Sequence, residues 1–317
     1  MKYYFAPLEG LTDSIYRKTH HQYFSGIDRY YMPFFSPTSH HSMTHKEIRE
    51  LPPADTVDFT AIPQLLTRIP EDFLWAAKRC RDLGYTEVNL NLGCPSGTVT
   101  AKGKGSGMLR DLDALDSFFD TVFSQTPIPV SVKTRLGYDS AENFPRLLDI
   151  LNQYPVHELI LHPRLRSDFY KGKVDMDSFR YCLQVSKAPV CYNGDLCSLS
   201  QIEAFQKEYP ACDAVMLGRG LIGDPGMLTP GGTTVPALES FMETLLLAYQ
   251  EEFGSARNAM FRLKENWRHL ICRFEGSKAL GKQLLKANDI NQYRSTVYAI
   301  FHTLPLAPTL QSDWLSV

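Results

Sequence analysis

Eight short runs rich in β-branched and aromatic residues recur along the first 220 or so residues. Amphipathic stretches of helical length separate the later ones. This alternation constrains the chain more than any other feature. The runs lie near Tyr3–Ala6, Arg29–Pro33, Ala61–Leu65, Glu87–Asn91, Val130–Lys133, Glu158–His162, Val190–Asn193 and Ala214–Gly218. The helical stretches are Pro70–Leu83, Asp113–Phe123, Asn143–Gln153, Met176–Val185 and Ser200–Lys207. Strand–helix–strand repetition demands parallel pairing, because each crossover needs a covering segment. Eight strands fit a (β/α)8 barrel, usually ~250 residues long. A doubly wound open sheet is the alternative. It needs fewer strands, and no GxGxxG follows the first run.

The rhythm stops at GDPGMLTPGGTTVPALES, Gly223–Ser240, whose glycines and prolines break regular structure. Only helical patterns follow: Ser240–Phe253, Ala256–Phe274, Lys278–Leu285 and Asn291–Leu304. The expected organisation is therefore a TIM barrel over residues 1–232 and a small all-α domain over 233–317. The whole chain carries a net charge of −2, which argues against broad nucleic-acid binding. Yet Gly254–Arg294 holds nine basic and three acidic residues, a local charge of +6. Such asymmetry suits a polyanionic partner, and a solvated helix face is the plainer alternative.

No stretch approaches 18 consecutive apolar residues, so no membrane association is expected. MKYYFAPLEG has no small-residue cleavage site and reads as a first strand, which makes the cytoplasm the expected location. The seven cysteines are scattered, without a CxxC, so neither a disulfide framework nor a cysteine-built zinc site is expected. His41 and His45 stand four apart, and His20, His21 and His40 lie nearby, but no matching carboxylate or cysteine set accompanies them. No metal is expected.

In such a barrel, chemistry sits at the C-terminal strand ends. Those ends carry Pro7, Leu8 and Glu9; Gln64; Asn89, Asn91 and Cys94; Lys133 and Arg135; His162 and Arg164; Asn193, Gly194 and Asp195; Gly218 and Arg219. Seven of eight strands ending in polar groups or glycine is hard to explain by packing, since an unpaired buried polar group is costly. Glycines after the last two strands let backbone N–H groups approach a phosphate. Lys133 and Gln64 suit a planar heterocycle, the lysine facing anionic charge and the amide a pyrimidine-like edge. A flavin mononucleotide fits both readings.

With these residues in view, APLEGLTD, NLNLGCPSGTVTAKGKGSGML, VSVKTRLG, HPRLRSDFYKG, YNGD and LGRG, in that order, resemble the tRNA-dihydrouridine synthase family. The resemblance covers the whole barrel. It implies an FMN-dependent enzyme that reduces the C5–C6 double bond of particular uridines in tRNA, with NADPH (or NADH) as reductant. It implies that Pro7, Leu8, Glu9, Gln64, Lys133 and His162 line the flavin, and that Asn193, Gly194, Asp195, Gly218 and Arg219 hold its phosphate. Asn91 would contact the uracil and Cys94 would be the proton donor. Lys102, Arg135 and Arg164 complete the expected substrate-binding set. The chain departs from the usual pattern at Pro163, Leu165 and Leu8; Leu165 lacks a hydroxyl that could contact phosphate or substrate.

The chemistry has its own logic. Reducing an activated C=C takes a hydride at C6, which reduced FMN can supply, and a proton at C5 from the opposite face. A cysteine of ordinary pKa is mostly protonated at neutral pH, as an acid must be. A base in tRNA must leave its stack to enter a barrel mouth, and the basic helical segment is a candidate support for the phosphate backbone. The glycines after Cys94 suggest a mobile lid. A monomer is expected. A free-pyrimidine flavoenzyme resembling dihydroorotate dehydrogenase, or a non-catalytic RNA-binding protein, are the competing readings.

Overall fold

The computed structural model describes residues 1–310. Its strands are β1 (Lys2–Phe5), β2 (Arg29–Tyr31), β3 (Ala61–Ile62), β4 (Gln64–Leu65), β5 (Val88–Leu92), β6 (Val130–Gly137), β7 (Leu159–Leu165), β8 (Val190–Tyr192) and β9 (Ala214–Leu217). Hydrogen-bonded neighbours run β3-β2-β1-β9-β8-β7-β6-β5-β4. The outermost members, β3 and β4, are halves of one stretch separated only by Pro63. Proline has no N–H to give a ladder, so the strand is interrupted there. One half pairs with β2 and the other with β5, both in parallel. The sheet thereby closes on itself. It is the expected eight-stranded (β/α)8 barrel, with its third strand split in two.

The strands lie within one residue or so of their expected starts, but β6 and β7 run further than expected, to Gly137 and Leu165. Pairing continues through Arg135↔His162 and Gly137↔Leu165, with a register shift between them. Arginine and glycine look like loop residues. Here the arginine side chain finds backbone partners, so the ladder can continue past it.

The chain divides into two compact units. The first comprises Met1–Glu9, Asp28–Gly194 and Gln206–Met216. Its barrel interior is divided by chemistry. One part is an apolar cluster of Tyr4, Ala6, Tyr31, Ile62, Ile160, Cys191, Ala214 and Met216. The other, across β4, β5 and β6, carries buried Gln64, Asn89, Asn91 and Ser131.

The second unit comprises Gly10–Ile27, Asp195–Phe205 and the chain from Leu217 on. Its helices include Ser14–Tyr23, Val235–Phe253, Ala256–Leu270, Lys278–Lys286 and Ile290–Thr303. Residues 311–317, the end of the expected helical domain, lie outside the described residues. Trp267 is fully buried, donates to the Tyr293 hydroxyl at 2.9 Å, and packs against Phe301 and Phe274. His20 is buried with Nε2 3.0 Å from the Pro225 carbonyl, and burial pulls its pKa down to about 3. Among the described residues no group of three or more His, Cys, Asp or Glu could hold a metal ion, and no helix is long and apolar enough to cross a membrane.

Asp13 is the polar node of this unit. It caps the helix Ser14–Tyr23 by accepting from Tyr16 N, and it also accepts from the Tyr249 hydroxyl (2.7 Å) and the Arg262 guanidinium (2.6 Å). Asp13→Ala removes a cap and strands a largely buried guanidinium. We expect a loss on the order of 2–4 kcal/mol, read as a lower urea midpoint. A midpoint unchanged from wild type would show that water replaces the carboxylate at no cost.

Candidate functional site

The strand β5 alternates polar and apolar residues up to the mouth, and Asn91 ends its inward face. The Asn91 Oδ1 accepts from the backbone N–H groups of Gly93 (3.1 Å) and Cys94 (2.9 Å). Its Nδ2 donates to Gln64 Oε1 at 2.8 Å. One side chain therefore sets the turn that carries Cys94. The thiol is half-buried, and burial pushes its pKa up; the Ser96 backbone N–H, Arg135 and Lys133 oppose that shift, and Glu9 adds to it. The outcome is a thiol held in its protonated form at neutral pH.

Lys133 stands beside Asn91 in the register of β5 and β6. Its amine has no hydrogen-bond or ion-pair partner among the described residues. Burial first, and then the charge of Arg135, pull its pKa down to about 8. Arg135 is buried, and three of its five N–H groups have backbone acceptors: Nε donates to Gly93 O (2.9 Å), Nη1 to Leu165 O (2.8 Å) and Nη2 to Phe169 O (2.7 Å). Arg164 is likewise buried and donates to Lys171 O and Gly172 O. Its Nη1 lies 3.1 Å from His162 Nε2. Arginine can only donate, so Nε2 accepts and the ring proton sits on Nδ1. Expected as substrate ligands, Arg135 and Arg164 both spend their side chains in this structure on holding the walls of the mouth.

The glycine-rich loop after Cys94 is folded rather than open. It contains a helical turn, Gly97–Thr100, and a 3-10 segment, Gly105–Arg110. Ser106 closes it onto the cysteine, giving N–H (3.2 Å) and Oγ–H (2.7 Å) to Cys94 O. Gly105 sits at φ +58°, where an added Cβ would come within 3.1 Å of Cys94 Cβ. That glycine serves close packing, and the expected flexibility is not needed to explain it. Lys104 donates to Ser36 Oγ at 2.8 Å, while Lys102 is exposed.

Pro7 and Leu8 follow β1 and are partly buried; Glu9 is exposed and pairs with Lys46 at 3.3 Å. Asn193 ties three strands together, its N–H bonded to Leu161 O and its Nδ2 to Met216 O. A Cβ at Gly194 would lie 2.0 Å from the Tyr192 hydroxyl oxygen, so any other residue there would have to push the Tyr192 ring aside. In the second unit, Arg219 pairs with Asp195 at 3.4 Å, and Gly218 precedes the short helix Arg219–Gly223.

The basic helical segment is less available than its composition implies. Arg262 pairs with Asp13, Arg268 with Glu265, Arg273 with Asp224 and Arg294 with Glu243. Lys264 is buried and donates to Ala287 O. Lys278, Lys282 and Lys286 remain exposed on one helix, spaced four apart and so on one face.

Glu87 and Ser131 were not singled out from the sequence. Glu87, Asn89 and Asn91 alternate with Val88 and Leu90, and a strand buried on both faces should read as continuously apolar. That period of two was the available signal.

Fold and mouth together define a (β/α)8 barrel with a protonated thiol, an unpartnered amine and ordered amides at its C-terminal end. The family model described as Dihydrouridine synthase (Dus) matches residues 4–305, and the chain belongs to that family. It is 27% identical over 300 residues to the probable tRNA-dihydrouridine synthase 1 of Synechocystis sp., covering 90% of this chain and 82% of that one. It is 33% identical over 167 residues to the tRNA-dihydrouridine(16) synthase of Escherichia coli K12, covering 52% of this chain and 53% of that one. The last match thus spans about half the relative's length. A solved structure of a morphinone reductase variant in complex with tetrahydroNAD is similar in fold, with a TM-score of 0.51 and 11% identity, over 71% of this chain and 85% of that one.

The depressed pKa of Lys133 has a signed consequence. The unfolded lysine titrates near ~10.4, so the unfolded chain binds the extra proton between about pH 8 and ~10.4. The burden of a buried ammonium is full below pH 8 and lifts through that window. Wild-type stability minus that of Lys133→Met, from urea unfolding of the apoprotein, should therefore rise from pH 8 to 10. A flat difference would mean that the amine is not desolvated.

Proposed function

We propose that this protein reduces the C5–C6 double bond of uridines in tRNA to 5,6-dihydrouridine, using FMN held at the barrel mouth and NADPH or NADH as reductant. The observation that carries the reading is the half-buried thiol of Cys94, kept protonated and set by Asn91, in the same mouth as the unpartnered amine of Lys133. An amine partly out of water without a counter-ion suits a ring system that gains negative charge on reduction. Gln64 and Pro7, Leu8 and Glu9 would line that ring, and His162, neutral and fixed in tautomer, would offer its ring to it. Asn193 and Gly194 are assigned to the phosphate on family resemblance.

When bound, reduced FMN supplies the hydride taken up at uracil C6. The chain does the rest. Cys94 Sγ gives its proton to C5 and leaves as thiolate, which Lys133 and Arg135, the cations that already lower its pKa, stabilise. Asn91 holds the turn so that the thiol does not drift. Lys102 and the stripe Lys278, Lys282 and Lys286 would meet RNA phosphates. A free-pyrimidine reductase would leave that exposed stripe without a role, and a non-catalytic protein would leave the protonated thiol without one.

Four measurements test the reading. Purified protein should carry a flavin visible by its absorbance. The wild-type gene should restore dihydrouridine, by mass spectrometry, to tRNA from cells lacking their own activity. Cys94→Ala should keep its flavin and lose at least ~100-fold in dihydrouridine formation. Undiminished product would remove Cys94 as the acid. Because burial raises the thiol pKa, the acid form persists through neutrality and is lost only as pH rises through that raised value. The tRNA-dependent step should be flat through neutral pH and fall on the alkaline side. A rate that rises with pH in that range would assign the thiolate, and not the thiol, to the reaction.

A further inference from the structure

A single line of hydrogen bonds runs through the barrel interior from the Cys94 turn to the opposite end of β5. The N–H groups of Gly93 and Cys94 donate to Asn91 Oδ1; Asn91 Nδ2 donates to Gln64 Oε1 (2.8 Å); Gln64 Nε2 to Asn89 Oδ1 (2.8 Å); Asn89 Nδ2 to Ser131 Oγ (2.9 Å); and Ser131 Oγ to Glu87 Oε1 (2.5 Å). Glu87 Oε2 is in turn 3.0 Å from Arg29 and 3.6 Å from His157. All of these residues belong to the first unit. Gln64, Asn89, Asn91 and Ser131 are buried, as is Glu87.

The direction of this line is not arbitrary. A backbone N–H can only donate, so the Asn91 atom facing Gly93 and Cys94 is oxygen. Its nitrogen then faces Gln64, which must accept with Oε1 and donate with Nε2. Asn89 is forced the same way, and so is the Ser131 hydroxyl. The line ends on a carboxylate, which, when ionised, can only accept. The obligate N–H groups at the mouth therefore orient three amides and a hydroxyl; at the far end burial pushes the pKa of Glu87 up, while the Ser131 hydroxyl and Arg29 at 3.0 Å favour its carboxylate. Every donor points from the mouth toward Glu87, and bonds aligned in this way strengthen one another. Remove the terminal acceptor and the Ser131 hydroxyl loses the group that accepts its hydrogen bond, which leaves the amides held from the mouth alone. A reversed Asn91 would present its NH2 to two N–H groups, and the turn would open.

We propose that Glu87 is a positioning residue for the reaction, acting from the N-terminal end of β5 through Ser131, Asn89 and Gln64 on Asn91, and through Asn91 on the placement of Cys94. The proposal rests on the reading of Cys94 as proton donor. Glu87 touches neither substrate nor cofactor. Its contribution is to hold from the far end an orientation that the N–H groups of Gly93 and Cys94 set at the mouth.

The test breaks the line far from the mouth. Ser131→Ala deletes one oxygen, Ser131→Thr restores the hydroxyl, and Glu87→Ala removes the acceptor while leaving Arg29 the carboxylate of Glu158 at 3.6 Å. In 15N spectra of the flavin-loaded protein, Ser131→Ala should shift the Gly93 and Cys94 amides and Ser131→Thr should return them. In tRNA reduction, Ser131→Ala should lower kcat roughly tenfold or more, as small misplacements of reacting groups do, with KM for tRNA little changed. The double variant Glu87→Ala/Ser131→Ala should be no slower than the slower single one, because both cut the same line. Unmoved amides with full kcat in Ser131→Ala, or strictly multiplicative losses in the double variant, would overturn the proposal. If Glu87→Ala does not fold, the Ser131 pair alone decides it through the amide shifts. A wild-type protein that makes no dihydrouridine would instead overturn the reading of the reaction, and the amide shifts would still report whether the line sets the turn.

Discussion

The structure depends on one pairing, the amide–amide bond from Gln64 to Asn89 across β4 and β5. These two strands are consecutive in the chain and pair directly in parallel, Gln64 opposite Asn89, so the bond is set by a single strand–helix–strand unit of the barrel. It serves two demands at once. It satisfies polar groups that burial would otherwise make costly. It also carries order from the interior of the barrel to the turn at its mouth. Beside it the cluster of Tyr4, Ala6, Tyr31, Ile62, Ile160, Cys191, Ala214 and Met216 packs as a core does, with the Tyr4 and Tyr31 hydroxyls given to buried Glu158.

Much of this is legible in the sequence. The strand rhythm located all eight strands, because a parallel barrel must bury each strand and cover each crossover. The gathering of polar residues at strand ends located the mouth. What was not legible has a common cause. Whether a buried polar side chain meets a ligand or a backbone carbonyl depends on neighbours distant in sequence. Arg135 and Arg164 have the composition of ligand-binding arginines, yet Arg135 meets the carbonyls of Gly93, Leu165 and Phe169. Glu87 looks like the polar start of a strand, and only the register against Ser131 gives it a place in the interior. The helix Ser14–Tyr23 escaped notice because its sequence is polar and its order comes from Asp13 and its two distant donors.

Charge teaches the same lesson from the other direction. The +6 of the helical segment reads as one basic surface in sequence. In the fold, four of its arginines answer carboxylates and one lysine is buried, which leaves Arg257, exposed over the Phe261 ring, and the stripe of Lys278, Lys282 and Lys286. Net charge counts groups; a surface counts only those left without partners.

The split third strand has a meaning of its own. Closed barrels have no edge, and for that reason they have no natural place to begin opening. Pro63 supplies one. At that residue the two ladders that complete the circle meet without an N–H between them, and each half of the strand is only two residues long. Slow opening of the barrel in the native state should therefore start at this seam. The adjoining residue is Gln64, so the first ladder to loosen lies beside the interior amide that links Asn89 to Asn91.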